Sequence, residues 1–130
     1  MPAFIGIGLV PDSGGSWHVE RLLGYARAFE WMASNRKVSA TEALGWGLVS
    51  EVVPADALAA RAAELAGEWA ERPTAGVGMT KRLLDGARGR TLEQQLELEA
   101  QLQSAATRTS DFREGVDAFL GKRAPRFTGT

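Results

Sequence analysis

The sequence predicts an α/β fold that is mostly helical and contains about two strands. An apolar run over 4–10 has the pattern of a buried strand, and a second, shorter run over 48–53 predicts the other strand. From residue 55 onward, apolar residues recur at the spacing of amphipathic helices. A buried strand needs neighbouring strands on both sides, and the rest of the chain supplies too few of them. We therefore expect residues 1–130 to be part of a larger α/β domain.

Capping residues, glycines and prolines predict the helix boundaries. Asp12 is a favourable N-cap residue and predicts a helix over 13–23 that ends at Gly24, followed by a second helix over 25–34. Later helices are predicted from two capping boxes, a proline and a Ser-Asp pair: Ser39–Glu42, Thr91–Gln94, Pro73 and Ser110-Asp111. We divide the chain into 1–53 and 54–130, because the strand pattern ends at that point.

The composition excludes several functional classes. Fifteen basic and sixteen acidic residues give a net charge of −1, which predicts neither a nucleic-acid partner nor an anionic membrane surface. The absence of cysteine excludes disulfides, thiolate zinc sites and a cysteine nucleophile, and it is typical of a reducing, cytoplasmic compartment. His18 is the only histidine, so a histidine metal cluster is excluded and no metal site is predicted. No apolar run in the sequence is long enough to span a membrane.

The main candidate for a functional site is the turn between the first strand and the first helix, Pro11-Asp12-Ser13-Gly14-Gly15. Open α/β sheets bind ligands where their strands end, which is the predicted position of this turn. The turn lacks the lysine of a P-loop and the spacing of a dinucleotide fingerprint. By residue pattern alone, Asp12 is either an N-cap or a catalytic carboxylate.

A basic cluster of Lys122, Arg123 and Arg126 follows Phe119 at the end of the last predicted helix. Such cations either complement the helix dipole or bind a phosphate next to an aromatic ring, as a nucleotide tail requires. The tryptophans are expected to be packing anchors in a core or an interface: Trp17, Trp31, Trp46 and Trp69.

Four segments, in their order and spacing, resemble the second half of the crotonase (enoyl-CoA hydratase/isomerase) family. The resemblance covers nearly all of the chain, and the ordered set is more specific than any one segment. The segments are Ile7-Gly8-Leu9-Val10-Pro11-Asp12-Ser13-Gly14-Gly15-Ser16, Arg21-Leu22-Leu23-Gly24 with Ala26-Arg27-Ala28, Ser39-Ala40-Thr41-Glu42-Ala43 through Gly47-Leu48-Val49, and Asp111-Phe112-Arg113-Glu114-Gly115 through Ala118-Phe119-Leu120-Gly121-Lys122-Arg123.

The resemblance implies a crotonase-like fold in which this chain is a mostly helical C-terminal portion. That fold is a spiral of strand-strand-helix units followed by a helical tail that packs in a trimer. Residues 1–53 would then be the end of the spiral core, and residues 54–130 the helical region that makes trimer and coenzyme A contacts. The resemblance also implies that the oxyanion-hole amides come from an amino-terminal half outside these residues. We therefore expect the isolated chain to be inactive.

Two positions bear on which reaction of the family the resemblance implies. Hydratases have a glutamate eight positions before Asp12, where this chain has Phe4, so two-carboxylate hydration is disfavoured. The Pro-Asp-Ser-Gly-Gly form resembles members whose aspartate works on the acyl chain, such as dienoyl-CoA and ring-1,2-epoxyphenylacetyl-CoA isomerases. The implied function is isomerisation of an enoyl- or epoxyphenylacetyl-CoA thioester by proton transfer through Asp12. An enoyl-CoA hydratase is the alternative within the class, and a non-catalytic helical interaction module is the alternative outside it.

The resemblance further implies where the substrate lies. Phe119 and Lys122 correspond to residues that meet the adenine and the 3'-phosphate of coenzyme A. The implied acyl pocket is lined by Phe4, Pro11, Gly14 and Trp17. Coenzyme A is part of the substrate, so no separate cofactor is implied. When complete, the protein would be a homotrimer or a dimer of trimers, and the relatives suggest fatty-acid or phenylacetate breakdown as its setting.

Overall fold

The computed structural model describes residues 1–130 as helices joined by turns, with no β-strand in that range. The α-helices are α1 (Gly15–Leu23), α2 (Tyr25–Ser34), α3 (Ala40–Gly45), α4 (Leu58–Ala70), α5 (Thr74–Gly86), α6 (Leu92–Ala106) and α7 (Ser110–Leu120), and short 3-10 helices span Ile5–Ile7 and Ala87–Gly89. The chain divides into two compact units, a first unit (Met1–Ala57) and a second unit (Leu58–Thr130).

The predicted strand over 4–10 is wrong, because this segment forms a 3-10 helix instead. The Phe4 carbonyl accepts hydrogen bonds from the amides of Ile7 (3.1 Å) and Leu9 (2.9 Å), so its bonding is local. Gly8 has a φ of 75°, a left-handed conformation that glycine adopts without a steric penalty. The glycines inside the apolar run therefore allow a turn, and the first unit contains no strand that could pair with an extended segment.

The predicted strand over 48–53 is also absent. Its first residue completes the end of α3, because the Leu48 amide donates to the Ala43 carbonyl at 2.9 Å and the Gly47 amide to the Leu44 carbonyl at 3.0 Å. Gly47 takes the left-handed conformation (φ 71°) that commonly ends a helix. The residues that follow have an apolar pattern but no strand partner, so no ladder forms.

Several predicted helix boundaries are confirmed, whereas neither predicted strand is present. Helix α2 has the predicted bounds, and the capping boxes at Ser39 and Thr91 are both present. The Pro73 prediction shifts by one residue, since Pro73 is the N-cap of α5 and the helix begins at Thr74. The last helix begins at Ser110 as predicted, but the hydroxyl of Thr109 caps it by accepting from the Phe112 amide at 3.0 Å.

A network around Arg36 joins α2 to α3. Its guanidinium donates to the carboxylates of Glu30 (3.1 Å) and Glu42 (3.0 Å) and lies 4.9 Å from the ring centre of Trp46. The Trp31 indole donates to the Arg36 carbonyl at 3.1 Å and meets Trp46 edge to face. Two of the predicted tryptophan anchors therefore pack with a cation rather than in an apolar core.

Little of either unit is buried. The buried apolar residues are three alanines, Ala28, Ala43 and Ala118, and no large side chain is fully buried. Within the first unit α1 packs on α2, and within the second unit α5 packs on α6. Large apolar side chains remain exposed in both units, for example Ile7 (76%) and Leu84 (70%). Each unit therefore presents apolar surface that its own residues do not cover.

Candidate active site

The turn before α1 places Asp12 ahead of the helix rather than at its N-cap. The Asp12 carbonyl accepts from the Gly15 amide at 2.8 Å, which closes a turn through Ser13 (φ 51°) and Gly14 (φ 77°). Gly14 is the N-cap of α1, and no side chain caps this helix. The interpretation of Asp12 as an N-cap is therefore wrong, and the exposed carboxylate is not used in capping.

Trp17 and His18, in the first turns of α1, lie next to the Asp12 turn. A Cβ at Gly14 would lie 3.6 Å from the His18 ring, so the imidazole stands next to that exposed glycine. His18 also meets Trp17 edge to face, with ring centres 4.7 Å apart. The Trp17 ring is 47% exposed and stacks with the Arg21 guanidinium at 3.6 Å. Trp17 thus lies at the surface near the turn instead of serving as a core anchor.

The candidates for the acyl pocket all lie within the first unit, in one short stretch of chain. Phe4 and Pro11 are half-buried, and they flank the 3-10 helix and the segment that leads to Asp12. Gly14 and Trp17 follow Asp12 at the start of α1. The structure therefore groups these residues along the segment that ends in the Asp12 turn. Their lining of an acyl pocket stays a prediction.

Phe119 and Lys122 lie together at the C-terminal end of α7, in the second unit. Phe119 is 83% exposed, and the Lys122 amide donates to its carbonyl at 3.2 Å. Lys122 is exposed and has a φ of 50°, a left-handed conformation that is uncommon for a residue with a side chain. An open cavity of about 440 Å³ lies beside Phe119 and is bordered mainly by apolar residues, including Phe112 and Phe127. The corner thus combines an exposed ring with an exposed cation.

Arg123, a member of the predicted basic cluster, forms an ion pair with Glu114. Its two terminal nitrogens donate to the two Glu114 carboxylate oxygens at 2.6 and 2.8 Å, and the Arg126 amide donates to Glu114 at 2.8 Å. The Arg123 guanidinium and the Arg126 amide lower the pKa of Glu114 to about 2, and Glu114 in turn raises the pKa of Arg123. Within the predicted basic cluster, the Arg123 side chain is therefore engaged by a carboxylate.

Asp111 is the buried charged residue of the structure, only 3% exposed, and sequence reasoning missed its role. Its carboxylate accepts from the amides of Thr128 (2.7 Å) and Gly129 (2.9 Å), and its own amide donates to the Thr130 carbonyl at 2.9 Å. We call these contacts of Asp111 and Glu114 with residues 123–130 the tail clasp. The spacing of Asp111 and Glu114 places both on one face of α7, which was the available signal, but their partners follow only from the fold.

No group of three or more His, Cys, Asp or Glu side chains is arranged to hold a metal ion. None of the helices combines the length and the apolar character needed to cross a membrane.

Comparison with known proteins gives consistent matches. All of residues 1–130 match the Enoyl-CoA hydratase/isomerase family. The chain is 44% identical over 127 residues to the 1,2-epoxyphenylacetyl-CoA isomerase of Escherichia coli K12, covering 98% of this chain and 48% of the relative. It is 34% identical over 122 residues to 4-chlorobenzoyl coenzyme A dehalogenase-1 of an Arthrobacter species, covering 94% of this chain and 44% of the relative.

Solved structures agree with the sequence matches. The crystal structure of an enoyl-CoA hydratase from Polaromonas sp. JS666 superimposes with a TM-score of 0.90 at 34% identity, over 97% of this chain and 49% of that chain. The chain thus spans about half the length of the relatives that it matches. The mostly helical arrangement is that of the matching portion of a crotonase fold, and the chain belongs to the enoyl-CoA hydratase/isomerase (crotonase) family.

Proposed function

We propose that this chain is the C-terminal part of an acyl-CoA enzyme that isomerises an enoyl- or epoxyphenylacetyl-CoA thioester by proton transfer. The observation that carries the proposal is the Asp12 carboxylate, which stands on the turn before α1, exposed and without a capping role. Phe4 at the position of the hydratase glutamate supports isomerisation over hydration. The identity of 44% to an epoxyphenylacetyl-CoA isomerase supports the substrate class.

In the proposed mechanism for an enoyl thioester, Asp12 moves one proton along the acyl chain. The carboxylate takes a proton from the γ-carbon, and the electrons of that C–H bond pass through the double bond to the thioester carbonyl as a dienolate. The protonated Asp12 then returns the proton at the α-carbon, which shifts the double bond and restores the carboxylate. One base is enough for this exchange.

The dienolate needs donors that residues 1–130 do not provide in this proposal. Backbone amides from the amino-terminal half would stabilise the negative oxygen, which is the largest electrostatic contribution in such sites. We therefore propose that the isolated chain is inactive. In the complete enzyme, Phe119 and Lys122 would contact the adenine and the 3'-phosphate of coenzyme A, and the subunits would assemble as a homotrimer or a dimer of trimers.

The test uses a hybrid enzyme in which the amino-terminal half of the Escherichia coli isomerase is joined ahead of residue 1. Double-bond migration in CoA thioesters is measured for the hybrid, for Asp12→Asn and for Asp56→Asn, an exposed carboxylate of the same unit. Loss of a general base lowers kcat by roughly 100-fold or more. We expect this loss for Asp12→Asn alone, with KM nearly unchanged.

Each other outcome identifies an alternative. Near-normal isomerisation by Asp12→Asn would reject Asp12 as the base. Incorporation of solvent oxygen into a hydroxyacyl-CoA product would favour the hydratase, which is also the activity named for the Polaromonas structure. A hybrid that folds and assembles with intact relatives but never turns over a thioester would favour the non-catalytic interaction module.

A further inference from the structure

The turn that carries Lys122 is held at both of its ends. On one side, the Lys122 amide bonds to the Phe119 carbonyl (3.2 Å) and the Arg123 amide to the Ala118 carbonyl (3.0 Å), which ties the turn to α7. On the other side, the Arg123 guanidinium is fixed by two bonds to Glu114. The position of Lys122 relative to Phe119 is therefore set by contacts of its neighbours in the chain.

Lys122 occupies a backbone position at which glycine would be more favourable. It is the one residue of the second unit with a side chain and a positive φ (50°), and such a conformation is strained for a residue other than glycine, asparagine or aspartate. Strained conformations persist where surrounding contacts hold them, and they concentrate at binding and catalytic sites. The left-handed turn thus places an exposed lysine next to a phenylalanine that is 83% exposed.

The tail clasp contributes contacts that keep Lys122 in its left-handed conformation. Glu114 receives three hydrogen bonds from the segment just after Lys122, two from the Arg123 side chain and one from the Arg126 amide. Asp111 anchors the following residues at the other end of the same helical face. Without Glu114, Arg123 would lose its carboxylate partner, and the left-handed turn would keep only its backbone bonds to α7.

We propose that Glu114 is a positioning residue for the coenzyme A site. By fixing Arg123, it holds Lys122 in the left-handed turn and so directs the lysine ammonium to the 3'-phosphate, while Phe119 receives the adenine. The inference rests on the proposed function, in which this corner binds the nucleotide end of the substrate. It also explains why Arg123, a second cation adjacent to Lys122, takes no part in phosphate binding: its charge is used by Glu114.

The experiment compares an acyl-CoA with the same acyl thioester of 3'-dephospho-CoA as substrates of the hybrid enzyme. The ratio of kcat/KM for the two substrates measures the contribution of the 3'-phosphate contact. A charge-assisted contact of this kind predicts a preference of about tenfold for the phosphorylated substrate. The variants are Lys122→Ala, Glu114→Gln and Glu114→Asp, with Glu64→Gln as the control because Glu64 pairs with Arg61 on the separate helix α4.

We expect Lys122→Ala to abolish the preference and Glu114→Gln to lower it by about threefold or more through KM, at unchanged kcat. Glu114→Asp should recover part of the preference because it keeps the charge, and Glu64→Gln should keep all of it. Lys122→Gly provides a check that does not depend on Glu114: it relieves the strained φ, so the protein should gain stability while the preference is lost.

Three outcomes would overturn the proposal, and they are distinguishable. A full preference in Glu114→Gln, with loss in Lys122→Ala, would reject the positioning role and leave the proposed function intact. An equal loss on both substrates with a lower kcat would show that Glu114 acts only on folding. Turnover of both thioesters at equal rates by the unaltered hybrid would reject the Lys122 contact itself, while double-bond migration would still support the isomerase function.

Discussion

Glu114 makes the stability of the folded chain depend on pH, because its pKa differs between the folded and unfolded chain. Its pKa falls from 4.5 to about 2 in the folded chain, first because the Arg123 guanidinium bonds to it and then because the Arg126 amide does. A lowered pKa means that the folded chain binds this proton less readily than the unfolded chain. The stabilisation is therefore complete above pH 4.5 and is lost as the pH falls toward 2.

The direction of this pKa shift predicts how the stability of the hybrid enzyme depends on pH. The difference in free energy of unfolding between the unaltered hybrid and its Glu114→Gln variant should stay constant above pH 4.5 and shrink between pH 4.5 and pH 2. Urea unfolding across this pH range measures the difference. In an Arg123→Gln background the pH-dependent part should be strongly reduced, since the largest cause of the shift is removed. A difference that persists unchanged to pH 2 would contradict the prediction.

At the level of single residues, the sequence predicted the position of the Asp12 turn, just ahead of a helix, but not its local geometry. Asp12 was correctly placed in a turn before a helix, but Asp, Ser and Gly are all acceptable N-caps, so the pattern does not decide which of them caps. The left-handed conformations of Ser13 and Gly14 move the cap to Gly14. For Arg123 the sequence left two roles open, complementing the helix dipole or binding a phosphate. Its partner Glu114 lies nine positions earlier, a separation that no local pattern reveals.

At the level of helices, Gly24 is the joint between α1 and α2. It is both the C-cap of α1 and the N-cap of α2, with φ 73° and ψ 161°. This combination lies in a region that only glycine populates readily. A Cβ at Gly24 would meet no atom within 4 Å, so any penalty for a side chain there comes from the backbone alone.

Gly24→Ala is therefore expected to destabilise the protein by about 1–3 kcal/mol, measured by chemical denaturation. Gly67→Ala is the matched control, because Gly67 lies inside α4 and its added Cβ also meets nothing within 4 Å. There the same methyl group should stabilise the protein by roughly 0.5–1 kcal/mol, since alanine favours a helix over glycine. Equal effects at the two positions would contradict the assigned conformation of Gly24.

Local signals explain which elements were predictable. The capping boxes at Ser39 and Thr91 and the stop at Gly24 depend on residues within four positions, and all three appear in the structure. The two strands failed because a strand exists only with a hydrogen-bonded partner, which a short apolar run does not specify. In the segment 4–10, glycine also allows a 3-10 turn, in which the backbone amides form hydrogen bonds with nearby carbonyls.

At the level of the whole chain, the scarcity of buried residues is the dominant property. Only alanines contribute to the apolar core, and exposed apolar side chains occur in the 3-10 helix Ile5–Ile7 and in all seven α-helices. Soluble monomers rarely leave so much apolar surface uncovered. The chain also spans about half the length of its relatives. We therefore expect the amino-terminal half in the hybrid enzyme to cover part of this surface.

We expect the chain alone to bind a hydrophobic dye and to self-associate at micromolar concentration. The hybrid enzyme should bind less dye per residue and give one defined oligomer. Dye fluorescence and light scattering, on samples of equal concentration, measure both properties. A monodisperse monomer without dye binding would contradict the expectation and would favour a self-sufficient interaction module.

The order of the sequence motifs predicted the family correctly, although the two strands predicted within the chain are absent. Four segments in fixed spacing indicated the family from the sequence, and the match over residues 1–130 confirmed it. Order and spacing reflect a complete fold, so they remain informative when a strand within one segment is predicted wrongly. The trimer, the acyl group and the coenzyme A contacts depend on surfaces outside one chain and stay predictions.

The contacts of Trp17 place an intrinsic fluorophore next to the candidate site. Its indole lies against the His18 ring and the Arg21 guanidinium, on the helix that begins at the Asp12 turn. Indole emission responds to movement of charged neighbours, whereas the other three indoles can be replaced by phenylalanine to remove their background. A hybrid that keeps Trp17 alone would thus show the arrival of a thioester at the turn in real time, separately from its turnover.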